Sequence, residues 1–236
     1  MKKLYEENDI KSIATSIRAK TGKSDAMKVS EMSGEIDGIR ADTNDYLTNN
    51  ISGAYVNADI TTLRNTAMSH MTKITSVSLP NVIQTGNSSL SSMTMLERVD
   101  LPNLTYLGEA CLRYNNKLKT VNFPNVSYFH MNCLYSTKAL TKLDVHVKAT
   151  IRQNAFNASG LTMLILRDSS TSALSATDSL ANTPIASGTG YIYVPSALID
   201  SYKTATNWSV YADQFRALED YTVDGTTTGE LDESKI

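Results

Sequence analysis

Residues 77–142 contain three consecutive copies of one 22-residue pattern, VSLPNVIQTGNSSLSSMTMLER from Val77, VDLPNLTYLGEACLRYNNKLKT from Val99 and VNFPNVSYFHMNCLYSTKALTK from Val121. No gap separates the copies. A constant period of this length is typical of a solenoid built from stacked coils. The matched positions are Pro80, Pro102 and Pro124; Asn81, Asn103 and Asn125; Leu90, Leu112 and Leu134; and Leu96, Leu118 and Leu140.

Each copy predicts a short strand followed by a corner. The Val-x-Leu or Val-x-Phe alternation turns one side of the strand inward, and the proline that follows cannot donate to a strand ladder. Residues in the same column of neighbouring coils then lie about 4.8 Å apart. The asparagine column can hydrogen-bond backbone at each corner. Because no coil buries its apolar side alone, the stack is cooperative and its ends need caps.

Degenerate copies flank these three, over residues 55–76 and 143–163, and a further strand begins at residues 164–166. The sequence therefore predicts an α+β protein with a leucine-rich-repeat solenoid of short parallel strands, in about five to six coils of 22 residues. We assign residues 51–168 to this solenoid.

The L-P-N-V-x-x-x-G-x-x-A pattern resembles the BspA-type leucine-rich repeat over residues 55–166, with 108–112 and 153–156 supplying its last part. It departs from that pattern at His130 and Arg152, which replace glycine, and we expect less tight turns there. Because the family includes bacterial surface proteins, adhesins and phage-encoded proteins, the resemblance implies binding or structural roles.

Residues 1–50 are predicted to form two short helices and a linker. The helices carry apolar stripes that need a partner, and we assign them to attachment or oligomerisation. The stretch IATSIRAKTGKSDAMKVSEMSGEIDGI, residues 13–39, is similar to a segment of phage and prophage tail and baseplate proteins of Firmicutes. The stripes consist of Ile10, Ile13 and Ile17 in the first helix and Met32, Ile36 and Ile39 in the second.

Residues 169–220 are predicted to form a Ser/Thr-rich loop and then a cap. The wording YIYVPSALIDSYKTATNW, residues 191–208, resembles the segment that closes BspA-type arrays, so it should cover the last coil's open edge. We expect a strand over 191–194, a helix capped by Ser196 and a second helix over 208–218. Residues 221–236 form a polar tail that we expect to be loosely ordered.

Tyrosines are the best candidates for binding. Tyr106 and Tyr128 share a column with polar residues, so they should face solvent and could stack on a sugar ring or a partner's side chain. The alternative is a surface column chosen for its strand propensity. Tyr114 and Tyr135, on the other side of the coil, are weaker candidates.

Cys111 and Cys133 share a column one coil apart, a spacing that a disulfide tolerates. Ala67, Ser89 and Ala155 occupy the same column, so buried reduced cysteines in a small-residue position are the favoured alternative. The sequons at Asn103 and Asn125 arise from the repeat's own asparagine column, and we interpret them as coincidence.

The sequence contains no recognisable catalytic motif. His70, His130 and His146 have no metal or nucleophile spacing, and no phosphate-binding loop is present. We expect no catalytic residue, cofactor or metal. The net charge of -2 argues against nucleic acid. No stretch is apolar enough to enter a membrane, and the N-terminus lacks the apolar region of a secretory signal.

The leading functional hypothesis is a non-enzymatic phage or prophage virion protein of the tail, baseplate or fibre type, made in the bacterial cytoplasm. Its partners would be other virion proteins or a host-surface receptor, protein or glycan, and it could form a homo-oligomer. The alternative is a bacterial cell-surface or secreted adhesin, and a third possibility is an enzyme accessory domain or an enzyme whose site has no recognisable motif.

Overall fold

The computed structural model describes residues 51–232, 234 and 235. The helices and the attachment role predicted within residues 1–50 lie outside this part. The described chain winds into coils whose short strands form three parallel sheets, which confirms the predicted repeat solenoid. The first sheet has the order β1 (Gly53–Val56), β3 (Ile74–Ser78), β5 (Arg98–Asp100), β7 (Thr120–Asn122).

The second sheet runs along another face of the stack with six strands. Neighbouring strands are in register at intervals of one repeat, as in the pairing of Thr62 with Gln84 and of Tyr106 with Tyr128. Its strands are β2 (Thr62–Leu63), β4 (Gln84–Thr85), β6 (Tyr106–Leu107), β8 (Tyr128–Phe129), β10 (Thr150–Ile151) and β12 (Ala173–Leu174).

The third sheet begins one repeat after β7 and ends in the C-terminal region. Its hydrogen-bonded order is β9 (Lys142–Val145), β11 (Met163–Leu166), β13 (Tyr191–Val194) and β14 (Phe215–Ala217), all parallel. Helix α1 (Ile199–Thr204) lies between β13 and β14 in the chain.

The core consists of columns in which each coil contributes an inward side chain. In every strand of the second sheet the first residue points outward and the second is buried, as strand alternation requires. Stacking therefore removes the apolar side of each coil from water without any long helix. The buried second residues are Leu63, Thr85, Leu107, Phe129, Ile151 and Leu174.

The asparagine column forms a ladder at one corner, as the sequence predicts. Asn81, Asn103 and Asn125 each donate from Nδ2 to a carbonyl of the preceding coil, at 2.7, 2.8 and 2.9 Å. The acceptors are the carbonyls of Ala58, Pro80 and Pro102. The amide nitrogens of the two apparent sequons are therefore already engaged in holding coils together.

Two positions in each of five coils adopt left-handed backbone conformations, with φ between 51° and 65°. This geometry directs their N–H groups to carbonyls of the next coil, as from Thr66 to Asn87 at 2.9 Å and from Tyr114 to Tyr135 at 2.9 Å. The two sets are Thr66, Ser88, Ala110, Asn132 and Asn154, and His70, Ser92, Tyr114, Ser136 and Ala158.

Thr66 is the most strained of these positions by residue type, because a β-branched side chain strongly disfavours φ near 56°. The repeat itself uses asparagine at Asn132 and Asn154, and asparagine tolerates this region. We therefore expect Thr66→Asn to raise the free energy of unfolding by about 1 kcal/mol. Urea denaturation would measure this. A Thr62→Asn variant, in the extended strand β2, should show no gain, and equal effects at both sites would contradict the strain argument.

Residues 169–190 differ from the predicted loop. They form a further coil, in which β12 pairs with β10 and a 3-10 turn spans Thr177–Leu180. Leu174, Leu180 and Ile185 are buried there. The sequence does not reveal this coil because it is rich in Ser and Thr and has apolar residues at only a few of the positions where the other coils have them.

The C-terminal cap has the predicted strand and first helix, but the predicted helix over 208–218 is wrong. A 3-10 segment at Ser209–Gln214 leads into β14, which pairs with β13, so a tertiary contact replaces the local helix. Ser196 does not cap α1, because its N–H and Oγ both bind the Glu219 carboxylate.

The cap nevertheless covers the open edge beside β12, as expected. Trp208 Nε1 donates to the Ser172 carbonyl at 2.7 Å, and Tyr202 Oη accepts from the Ser172 N–H at 2.9 Å. Asn207 Nδ2 donates to the Leu174 carbonyl at 2.8 Å. Side chains of the cap thus replace the strand that would otherwise continue the ladder.

The polar tail is more ordered than predicted. Thr222 and Leu231 form an antiparallel bridge, and the tail returns to the third sheet. Arg167 holds it there, with Nη1 donating to the carbonyls of Thr227 and Gly229 at 2.7 and 2.9 Å. The same guanidinium pairs with Asp144 at 2.7 Å.

Candidate aromatic binding surface

Tyr106 and Tyr128 stack on the outer face of the second sheet. Their ring centroids are 5.2 Å apart and the ring planes differ by 8°. Both side chains are half-buried. The register that pairs β6 with β8 brings the rings together, because the outward residues of parallel strands lie one strand spacing apart.

His130 joins this pair, although the sequence indicates only a turn residue in the glycine column. Its ring centroid lies 5.8 Å from that of Tyr128 and 6.2 Å from that of Tyr106. Its Nδ1 accepts the Met131 N–H at 2.8 Å, which fixes the ring. We call Tyr106, Tyr128 and His130 the aromatic ladder.

A groove lies beside the Tyr106 end of the aromatic ladder, where Gly86 leaves the glycine column without a side chain. The groove has a volume of about 430 Å³. It is lined by Thr62, Leu63, Arg64, Asn65, Gln84, Thr85, Gly86, Asn87 and Tyr106. We call it the Gly86 groove.

Burial raises the pKa of the Tyr106 phenol, and the neighbouring Tyr128 and Glu109 raise it further. The phenol therefore stays protonated at neutral pH and can both donate and accept a hydrogen bond. The pair of Tyr106 and Tyr128 is thus a partly apolar surface with polar tips.

The weaker candidates Tyr114 and Tyr135 are also neighbours, with ring centroids 5.7 Å apart at 82°. Arg113, which sequence reasoning missed, binds both: its guanidinium carbon lies 4.3 Å from the Tyr114 centroid and 5.4 Å from that of Tyr135. Tyr114 is 41% exposed. Arg113 occupies the same column as Tyr135, so the 22-residue period could have placed them together.

Comparison with known families agrees with the repeat geometry. Residues 42–181 match the BspA type leucine-rich repeat region in six copies. The chain belongs to the BspA-type leucine-rich-repeat family. The match extends past residue 168 and includes the coil that contains β12. Comparison with curated proteins found no match.

Leucine-rich repeats of the BspA type form scaffolds that typically bind other proteins without enzymatic activity. The part of this chain described by the structure contains no group of three or more His, Cys, Asp or Glu residues that could hold a metal ion. None of its helices is long and apolar enough to cross a membrane. A second groove lies between the third sheet and the tail, and Asp144 and Arg167 line it. These two side chains form an ion pair with each other, and Arg167 also holds the tail.

The cysteines of the BspA-type repeats occupy the small-residue column as predicted. Cys111 and Cys133 are fully buried free thiols, and Cys111 Sγ lies 3.1 Å from Ser89 Oγ. Burial raises the pKa of both thiols, and the adjacent Cys111 raises that of Cys133 further. The thiols therefore serve packing and are poor nucleophiles.

These raised pKa values predict a loss of stability in alkaline solution. Below the ordinary thiol pKa the thiols are protonated in both the folded and the unfolded chain, so the stability of the fold is not reduced. Above that pKa the thiols ionise in the unfolded chain only, which favours unfolding. Each thiol then lowers the free energy of unfolding by up to about 1.4 kcal/mol per pH unit. Urea denaturation from about pH 8 to about pH 10 measures the slope. Cys111→Ala with Cys133→Ala should flatten it, and an unchanged slope would contradict the assignment.

Proposed function

We propose that this protein is a non-enzymatic virion component of a phage or prophage, of the tail, baseplate or fibre type. In this proposal the aromatic ladder on the second sheet engages a receptor on the host surface. The observation that carries the binding role is the stacked pair Tyr106–Tyr128 on a solvent-facing sheet of a leucine-rich-repeat scaffold.

The chemistry of the ladder supports binding. Rigid aromatic side chains supply contact area at low entropic cost and are enriched at the centres of protein interfaces. The ladder stands beside the open Gly86 groove rather than on a flat polar sheet. A partner can therefore contact ring edges, a ring face and backbone in one place.

The virion context is supported by the N-terminal segment. Residues 13–39 are similar to a segment of phage and prophage tail and baseplate proteins. Such a segment would attach or oligomerise the chain and leave the repeats to present their surface. Other virion proteins would then be the second class of partner.

The binding role is tested on the full chain, labelled with a fluorophore and titrated onto cells of the bacterium whose genome carries the gene. Tyr106→Ala combined with Tyr128→Ala should weaken cell binding by about tenfold or more, as loss of a stacked aromatic anchor does. The matched control, Thr150→Ala, lies in the same outward column and should bind like the wild type. Equal binding by both variants would refute the role of the ladder.

The virion assignment needs a separate experiment. After prophage induction, purified particles and the cell-wall fraction would be compared by mass spectrometry for peptides of this chain. We expect the peptides in the particles at a fixed ratio to known tail proteins. Their recovery in the cell wall with none in particles would instead support an adhesin that uses the same surface.

A further inference from the structure

The Gly86 groove has the shape and chemistry of a site for one sugar ring. We propose that it binds a single pyranose residue of a surface glycan, with the apolar face of the sugar on Tyr106. This inference rests on the proposed binding role of the aromatic ladder and specifies its ligand.

Tyr106 provides the wall of this site. The rings of Tyr106 and Tyr128 belong to neighbouring strands and stack face to face, one ring above the other along the direction in which the coils stack. One face of Tyr106 is therefore covered by Tyr128. The other face is directed toward the preceding coil, whose outward residue is Gln84. An aromatic face beside polar side chains is the surface on which the C–H groups of a pyranose pack.

The floor of the groove is formed where the backbones of neighbouring coils meet at Gly86. The column that contains Arg64 and His130 has glycine at Gly86 and Gly108 between them. The coils are in close contact here, since a Cβ on Gly86 would lie 2.5 Å from the Asn65 nitrogen and one on Gly108 would lie 2.5 Å from the Thr85 carbonyl oxygen. Gly86 thus lets its coil approach the backbone of Arg64 and Asn65 closely at the base of the groove.

The rim carries amides rather than carboxylates. Gln84, Asn65 and Asn87 line the groove, and all three are exposed. Asn65 Oδ1 accepts the backbone N–H of Asn87 at 2.8 Å. This bond fixes the Asn65 side chain and leaves its Nδ2 group to donate to a ligand. Amides both donate and accept, as vicinal sugar hydroxyls require.

Arg64 is the one charged group among the described residues that line the groove. Its guanidinium forms no ion pair or hydrogen bond with another described residue. The planar guanidinium of Arg64 carries parallel N–H donors, which match a pair of hydroxyls or the carboxylate of an acidic sugar. The groove therefore combines an apolar wall, a bare floor and a polar rim at the lower end of the usual size of ligand sites.

The test uses the full chain on a printed array of oligosaccharides, followed by calorimetric titration of the oligosaccharide that gives the strongest signal. Tyr106→Leu should weaken its binding by about tenfold, which corresponds to about 1.4 kcal/mol. Gln84→Ala with Asn87→Ala should weaken it by a similar factor. Tyr128→Leu, which keeps an apolar side chain against Tyr106, should change it less than about threefold. Melting temperatures would confirm that all variants fold.

Three results would overturn the sugar assignment. In the first, no oligosaccharide on the array binds, and cell binding that depends on the aromatic ladder survives periodate oxidation of the cell-surface glycans. The receptor would then be a protein, and the proposed function would stand. Another is an equal loss in Tyr106→Leu and Tyr128→Leu, since exposed ring edges and not the groove would then carry binding. If the chain binds neither cells nor oligosaccharides, the proposed function fails as well.

Discussion

Replacement of Trp208 by alanine is expected to lower the free energy of unfolding by about 3–5 kcal/mol. The indole is 1% exposed and packs against Tyr202 and Phe215, with ring centroids 5.4 and 6.0 Å away. It also donates to the Ser172 carbonyl beside β12. Alanine would leave a cavity and an unpaired carbonyl at the edge that the cap closes. Urea denaturation followed by far-ultraviolet circular dichroism would measure the change.

Two further variants separate packing from hydrogen bonding at this site. Trp208→Phe keeps an aromatic ring and loses the donor, so we expect a loss of about 1–2 kcal/mol. Val210→Ala, at an exposed position of the adjoining 3-10 segment, should stay within about 0.5 kcal/mol of the wild type. If Trp208→Ala were no less stable than Val210→Ala, the cap would not support the solenoid.

An Asn115→Leu substitution is expected to cost about 2–4 kcal/mol. Asn115 is fully buried, and its Oδ1 accepts the Met93 N–H at 2.7 Å while its Nδ2 donates to the Leu90 carbonyl at 2.8 Å. Leucine has a similar volume but satisfies neither backbone group. The same urea experiment would report the loss, because the coils from Leu90 to Asn115 depend on this one side chain for two hydrogen bonds.

The adjacent Asn116 gives the matched control. It is exposed, and its Oδ1 accepts one hydrogen bond from Ser136 Oγ at 3.3 Å. Asn116→Leu should therefore cost about 0.5 kcal/mol or less. Similar losses at both positions would show that leucine disturbs this turn sterically, and the hydrogen-bond explanation would be wrong.

The period of the sequence was sufficient to predict which side chains become neighbours within columns. It places Tyr106 beside Tyr128 and Cys111 beside Cys133, because parallel coils of equal length stack identical positions. Strand alternation then decides which of these face outward. The stacked pair of Tyr106 and Tyr128 could be predicted in this way, and its near-parallel ring geometry follows from the register.

Contacts between different columns were not predictable from the period. Asn115 stands where Met71 and Met93 stand in earlier coils and where Thr137 and Ser159 stand in later ones, so its column mixes apolar and polar residues and gives no periodic signal. Its hydrogen bond to the Leu90 carbonyl, which belongs to a different column, is visible only once the coil is folded. Likewise, His130 reads as a turn residue, and only its rotamer shows that it packs beside Tyr106 and Tyr128.

The C-terminal region shows the same limit. Its sixth coil keeps only a few apolar residues, so composition indicated a loop where tertiary packing builds a strand. Phe215 lies in a stretch with helical spacing, yet its pairing with Ile192 and its contact with Trp208 draw it into β14. The tail is ordered by Arg167, which is 60 residues away from its partner Thr227. Long-range contacts of this kind override local preference.

The equal length of the central coils has a consequence for how such a gene can change. Unequal recombination between the segments that encode residues 77–98 and 99–120 adds or removes a whole coil in frame. The corner hydrogen bonds rejoin, because each coil bonds its neighbours at equivalent atoms. The length of the repeat stack therefore changes in steps of about 4.8 Å per coil, while the C-terminal cap is inherited intact.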